Sequence, residues 1–429
     1  MRRRPSESAA CDPPQADRTT GQLLVVCIAG FVTWSGFGAI LPYLPIFLRE
    51  QAHSSLWLLG VIASSYYVGT LGFSALFGRA SDVVGRKPLM VGGLVLFAVS
   101  TALFMTTTQA GWFAVFRLLE GVGGAAVGPA SQAFVADISD EGTRSRAYGW
   151  LTSAQYGGLI LGPALAPPLY ALGGGHGTRA FYAIFLFGTV LSAATALLLA
   201  VTVKEPDRAV AVEGAREPRT PLRAVVSGPV LAFVLIAAAS NYAMGAFEVL
   251  WSLWLHRLGA SLGFISATWV VFSVPMLLSF VGGAIADRGN RFWLMFSGYT
   301  VSALAWIVYG TTHDLWLFII VNGLEGLAFA WAYPAKQAFL VQVSPPRWIG
   351  AIQGLETSAA LMAALVGTLL SPVVYGLIGG WAIGIGGLMA LAGLLGAAPV
   401  LHREWGRIAA ARALDGPWRP SPAQPPRDE

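Results

Sequence analysis

Six ionisable side chains, Arg117, Glu120, Glu248, Glu325, Lys336 and Glu356, stand inside apolar runs long enough to cross a bilayer. A charge at that depth costs roughly 2.5–3.5 kcal/mol or more, so it turns to a partner or to a cavity. A carboxylate held away from water is suited to binding and releasing protons near neutral pH. Arg117 and Glu120 are three residues apart and share one helical face, which allows either a plain ion pair or a proton-exchanging site. Glu248, in the stretch Asn241-Tyr-Ala-Met-Gly-Ala-Phe-Glu-Val-Leu-Trp251, has no counter-ion near it in sequence. It is the leading position for substrate or proton, against the alternative of a lipid-edge place nearer the surface. Asn241, Tyr242 and Trp251 are expected to line the same cavity, with Tyr66, Tyr67, Gln132 and Gln155 on the opposite wall. Glu325 completes the proton-handling set. It lies eleven residues from Lys336, too far to pair with it, and Glu356 is either a second proton stop or a structural partner for the loops.

A second kind of chemistry is electrostatic latching. Gly78-Arg-Ala-Ser-Asp-Val-Val-Gly-Arg-Lys-Pro-Leu-Met90 packs four charges into a chain that is only 11% charged. Asp82 and Arg86 are four apart, on one face of a helix end. The carboxylate can meet the N-terminus of a helix from another part of the chain, where free N–H groups and the dipole attract it. The segment after Ser344-Pro-Pro offers such a start, with Ser344 as cap. Asp137, at the end of another apolar run, can hold Arg86. A topogenic loop that merely keeps positive charge on one side is the bland alternative, and it suffices for Arg79 and Lys87.

These residues are positioned by an apolar frame. The 429 residues are 55% hydrophobic and only 11% charged, against roughly 25% charged in an average soluble domain. Twelve segments reach the roughly 20 residues a bilayer crossing needs, near 23–48, 56–78, 88–107, 111–137, 147–171, 180–203, 228–256, 262–286, 293–312, 314–343, 349–376 and 381–402. Runs this long are helices, not the ten-residue strands of a membrane barrel. Of the 27 Lys and Arg, 22 fall in tails and loops on one side and three, Arg49, Arg179 and Arg257, on the other. That asymmetry places both tails in the cytoplasm. Residues 1–21 and 403–429 read as disordered tails, and 204–227, with Pro206, Pro218 and Pro221, as a central loop dividing bundles 22–203 and 228–402.

The two bundles are copies. A shift of 205 residues brings Gly78 onto Gly283, Asp82 onto Asp287, Arg86 onto Arg291 and Glu120-Gly121 onto Glu325-Gly326. Over 117–135, nine of nineteen positions agree without a gap. Duplicated helical bundles are a transporter architecture, with the site between the repeats.

Gly78-x-x-x-Asp82-x-x-Gly85-Arg86-Lys87 resembles the loop motif of the major facilitator superfamily, and the six-plus-six duplication extends the resemblance over the whole membrane part. The resemblance implies alternating access about a central cavity, usually driven by protons. It makes Asp82, Arg86 and Asp137 a gating relay with Gly78 and Gly85, repeated at Asp287 and Arg291, although Asn290 replaces the second glycine of the repeat. Leu41-Pro42-Tyr-Leu-Pro45 and Arg117-x-x-Glu120-Gly121-x-Gly123 are similar to elements of the twelve-helix drug:proton antiporters. So is Gly149-x8-Gly158-x3-Gly162-Pro163, although Ala166-Pro167 stand where that motif closes on Gly-Gly. In physical terms, small residues at i and i+4 let two helices approach closely, and Pro163 frees a carbonyl.

The expectation is a monomeric, multi-pass plasma (inner) membrane exporter that exchanges protons for small, amphipathic, neutral or cationic compounds. The alternative is an uptake or facilitative carrier for a polar metabolite, anionic if Arg117 and Lys336 face the cavity. A membrane enzyme or sensor is remote, since no intramembrane nucleophile, metal cluster or output domain is visible. Gly121-Val-Gly123-Gly-Ala-Ala126 spells a dinucleotide fingerprint but follows a helix at membrane depth. No cofactor, metal or nucleic acid is expected. Cys11 and Cys27 frame no disulfide, and the basic residues form no aromatic-interleaved patch.

Overall fold

The structure is a computed structural model that describes residues 15–140, 143–205 and 226–414, with side chains from 20 onward except at 145, 280, 287, 288, 346 and 411–414. The first half contains α1 (Gln15–Ile40), the short α2 (Leu44–Glu50), α3 (Leu56–Val83), α4 (Arg86–Leu103), α5 (Ala110–Asp137), α6 (Arg144–Leu172) and α7 (Gly177–Thr202). The second contains α8 (Gly228–Arg257), α9 (Leu262–Ser273), α10 (Ser279–Arg288), α11 (Arg291–Thr311), α12 (Leu315–Val343), α13 (Ile349–Ile378) and α14 (Trp381–Leu414). No strand occurs among the described residues.

Twelve crossings result. Ten helical spans, one of them α1 with α2, are long and apolar enough by themselves. The other two are α6, diluted by Arg144, Arg146, Gln155 and three prolines, and the pair α9–α10. That eighth span departs from the continuous helix expected over 262–286. Pro275 has no N–H to donate, and residues Val274–Leu278 tighten into a 3-10 turn between the two helices. The expected tails also shorten. Residues 15–21 already belong to α1, and α14 runs to Leu414, because Ala, Arg and Leu after 403 favour helix beyond the apolar span. Residues 1–14, 206–225 and 415–429 lie outside the described residues.

The repeat survives as geometry. A Cβ on Gly93 would stand 2.8 Å from the Gly123 carbonyl oxygen, and one on Gly298 would stand 2.7 Å from that of Ala328. Both residues of the pair are displaced by the same 205 positions, so α4–α5 and α11–α12 cross at equivalent points. Likewise Gly162 meets the Ser35 carbonyl of α1, and its counterpart Gly367 meets the Tyr242 carbonyl of α8. Gly158 approaches the Phe31 carbonyl and Pro163 packs on α1 at Gly38, so three of the four expected packing residues do close two helices. Gly149 does not: nothing lies within 4 Å of where its Cβ would be.

Buried side chains divide into three clusters. Near Glu50, one core takes residues from both halves, including Tyr43, Phe47 and Phe181 with Trp251, Trp254 and Tyr309. At the Asp82 end the halves keep separate cores, one around Met90, Phe134 and Leu199, the other around Phe233, Met295 and Phe339. The halves therefore meet at one end and part at the other. Large apolar side chains exposed around the outside, such as Leu76, Val190, Leu197, Ile320 and Leu370, fit a lipid-facing surface.

Candidate functional site

Between the halves lies a cavity of about 460 Å³. It runs from Glu248 and Trp269 to Val26, Met90 and Leu199, the residues of the separated Asp82 end. Trp34 and Phe37 of α1, Tyr66 and Tyr67 of α3, Phe97 of α4, Gln132 of α5 and Gln155 of α6 line the first-half wall. The second half contributes Met244 and Glu248 of α8 and Trp269 of α9. Glu248 is the sole charged group on the described lining.

Glu248 is not isolated. Arg117 Nη2 lies 3.6 Å from its Oε1, and the Tyr67 hydroxyl donates to its Oε2 at 2.6 Å. Arg117 also donates from Nη1 to Glu120 Oε2 at 2.8 Å, and Thr101 donates to the other Glu120 oxygen at 2.8 Å. The guanidinium sits over the Tyr66 ring, 4.8 Å from its centre. Two carboxylates thus share one cation, and the link between α5 and α8 joins the two halves. A void of about 20 Å³ beside Arg117 and Glu248 has room for one water, and Leu41 and Pro45 help to wall it.

Tyr66, Tyr67, Gln132, Gln155 and Glu248 therefore share one cavity, as their sequence context suggested. Asn241, Tyr242 and Trp251 are not on its lining. Asn241 donates to the Ala237 carbonyl one turn back, and the Tyr242 backbone abuts Gly367 of α13. Trp251 is fully buried in the shared core, donating to Thr268 at 2.8 Å and stacked on Phe247. A Trp one turn beyond Glu248 passes the cavity floor and becomes packing. Sequence reasoning missed Thr101, Trp34, Phe37, Phe97, Met244 and Trp269; no local signal separates such residues from ordinary membrane packing.

Glu325 is buried like its counterpart Glu120 but has no cation beside it among the described residues. Asn322 stands at the position equivalent to Arg117, and the bond described to Glu325 comes from the Tyr309 hydroxyl at 2.9 Å. Lys336 and Glu356 form a buried ion pair between α12 and α13, so the partner of Glu356 is a neighbouring helix and not the loops.

At the Asp82 end, Arg86 binds Asp82 at 2.5 Å, Asp137 at 3.0 Å and the Ser81 hydroxyl. Gly85 adopts φ 123°, where a side chain would be strained, and turns the chain into α4. Glu205, which no motif pointed to, accepts from the backbone N–H groups of Arg86 and Lys87 and so caps α4. In the second copy Arg291 donates to Gln342, the residue equivalent to Asp137, and Asn290 caps α11 through its own side chain. That self-capping accounts for an asparagine in place of the glycine. The Asp287 side chain lies outside the described residues. Gly78 touches nothing where a Cβ would stand. Ser344 is no cap: its hydroxyl donates back to the Leu340 carbonyl, and a 3-10 turn intervenes before α13.

Residues 26–292 match the model of the Major Facilitator Superfamily. The chain belongs to that superfamily. It is a membrane transporter, not an enzyme. Among similar proteins, Multidrug resistance protein 1 of Bacillus subtilis is 24% identical, covering 81% of this chain and 87% of its own. Tetracycline resistance protein, class G, of Vibrio anguillarum is 27% identical over 86% and 94%. Quinolone resistance protein NorA of Staphylococcus aureus is 21% identical over 82% and 90%. Among solved structures, a D-xylose-proton symporter superposes with a TM-score of 0.72 at 17% identity over 88% and 97% of the chains. A bacterial homolog of the human lysosomal transporter Spinster, inward-facing and unoccupied, gives 0.69 at 15% identity over 96% and 100%. These likenesses establish the fold.

Proposed function

We propose that this transporter exports small amphipathic, neutral or cationic compounds in exchange for protons, with Glu248, Arg117 and Glu120 as the coupling group. The observation that carries the reading is a single charged side chain, the Glu248 carboxylate, on a largely aromatic and apolar cavity, tied across the halves to a buried Arg–Glu pair. One carboxylate can hold a proton or a substrate cation but gains little from both, which is the requirement for exchange. The relatives named for multidrug, tetracycline and quinolone resistance favour export over uptake of a polar metabolite. Glu325, with no cation described beside it, is a second proton-handling position.

Gating rests on Asp82, Arg86 and Asp137, with Arg291 in the repeat. The buried cores of the two halves are separate at the Asp82 end, which fits a gate that is open there in this conformation. Both tails and the Asp82 end lie in the cytoplasm on this reading, the conformation is inward-open, and the protein works as a monomer in the plasma membrane. Reconstitution in liposomes with an imposed pH step tests the whole. Substrate accumulation against its gradient, coupled to proton movement in the opposite direction, is the expected result. Substrate-independent proton flux, or transport indifferent to the pH step, would refute it.

A further inference from the structure

A second cavity, of about 400 Å³, opens at the Glu50 end of the second half, away from the central one. Its walls are the end of α8 (Trp254, Arg257), the turn after α11 (Thr311, His313) and the junction Gly379–Trp381 where α14 begins. Arg257 closes the last turn of α8, where a cation meets the negative end of the helix dipole. That role leaves its guanidinium largely uncommitted. It lies 5.9 Å from the Tyr375 ring centre, and no carboxylate comes within 4 Å of it among the described residues. The start of α14 adds the positive end of a 34-residue helix. His313, edge-on to Trp254, is a further donor. The Arg257 charge and the α14 N-terminus are the features of this cavity that favour an anion.

The surroundings narrow the ligand. Trp381 is half exposed, at the depth where tryptophans mark a membrane interface. Beside it Leu377 is 80% and Ile378 43% exposed, an apolar patch at the end of α13 next to the cavity. A free anion has no use for that patch, whereas an amphiphile does. We propose that this cavity binds the phosphate headgroup of an anionic phospholipid, with Arg257 as its principal contact and Leu377 and Ile378 alongside the acyl chains.

The test uses purified full-length protein in neutral detergent, titrated separately with phosphatidylglycerol, diacylglycerol and inorganic phosphate. Bound ligand is counted by native mass spectrometry, with the shift in Tm as a second readout. Phosphatidylglycerol is expected to bind and diacylglycerol not. Arg257→Gln should weaken phosphatidylglycerol about tenfold, the loss of a charge-assisted contact, and Arg257→Lys should restore most of it. Arg179→Gln, an exposed cation at the same end but off this cavity, serves as the control and should change nothing. Competition by millimolar phosphate would assign the site to free anions of the same chemistry, and its failure to compete would assign it to the lipid. The proposal is overturned if Arg257→Gln binds like the wild type, if Arg179→Gln loses as much, or if neither phosphate compound binds.

Discussion

Substituting Glu248→Gln separates folding from coupling, and the structure sets the size of each effect. The amide is nearly the same shape, and Tyr67 can still donate to its oxygen. Arg117 loses a charge partner at 3.6 Å but keeps Glu120 at 2.8 Å. At an effective dielectric of 20, a pair at 3.6 Å attracts by about 4.6 kcal/mol. Removing the buried carboxylate also removes its desolvation cost, of several kcal/mol, so the net effect on stability should stay within about 1 kcal/mol. Arg117→Gln contrasts with this. It strands two carboxylates, Glu120 at 2% side-chain exposure and Glu248 at 13%, and should cost about 3–5 kcal/mol unless both take up protons. In liposomes, the wild type should move substrate in response to a pH step. Glu248→Gln should lose that response while still exchanging labelled for unlabelled substrate at equal pH on both sides. The Glu120→Gln, Glu248→Gln double variant should abolish pH-driven transport. Wild-type coupling in the double variant would refute the assignment, and a Glu248→Gln protein that no longer folds would refute the electrostatic reasoning.

Asp82→Asn should move the labelling of cavity cysteines toward the inward-open pattern, and unchanged labelling would reject the latch. Glu50 and His256, 2.7 Å apart, bridge the halves at the closed end and are both about two-fifths exposed. An exposed pair contributes no more than about 1 kcal/mol, so Glu50→Gln should shift the open-to-closed ratio there by at most about fivefold, measurable by cysteine cross-linking. Gly158→Ala places a Cβ 2.2 Å from the Phe31 carbonyl oxygen and should lower Tm or abolish expression, whereas Gly149→Ala, with nothing within 4 Å, should be silent. Breaking the buried Lys336–Glu356 pair by Lys336→Met alone should cost about 3–5 kcal/mol, and adding Glu356→Leu should recover most of it, as thermal unfolding in detergent will report.

Hydropathy and register are properties of neighbouring residues, so the sequence by itself determined the number of crossings, the 205-residue repeat and the depth of Arg117, Glu120, Glu248 and Glu325. The family resemblance also anticipated that Arg86 meets Asp82 and Asp137. Partnerships across the bundle depend on how whole helices sit against one another. Glu248 had no visible counter-ion because Arg117 is 131 positions away in the other copy, and only the meeting of α5 with α8 brings the two together. Trp251 and Glu248 are separated by a single turn, yet one packs in the shared core and the other faces the cavity, since the cavity floor falls between them. The division between one shared core and two separate ones, which decides the end at which the molecule is open, was likewise left to the tertiary structure. Apolar residues carry no address, and their partners are chosen by the relative tilt of two bundles that nearest-neighbour chemistry along the chain does not specify.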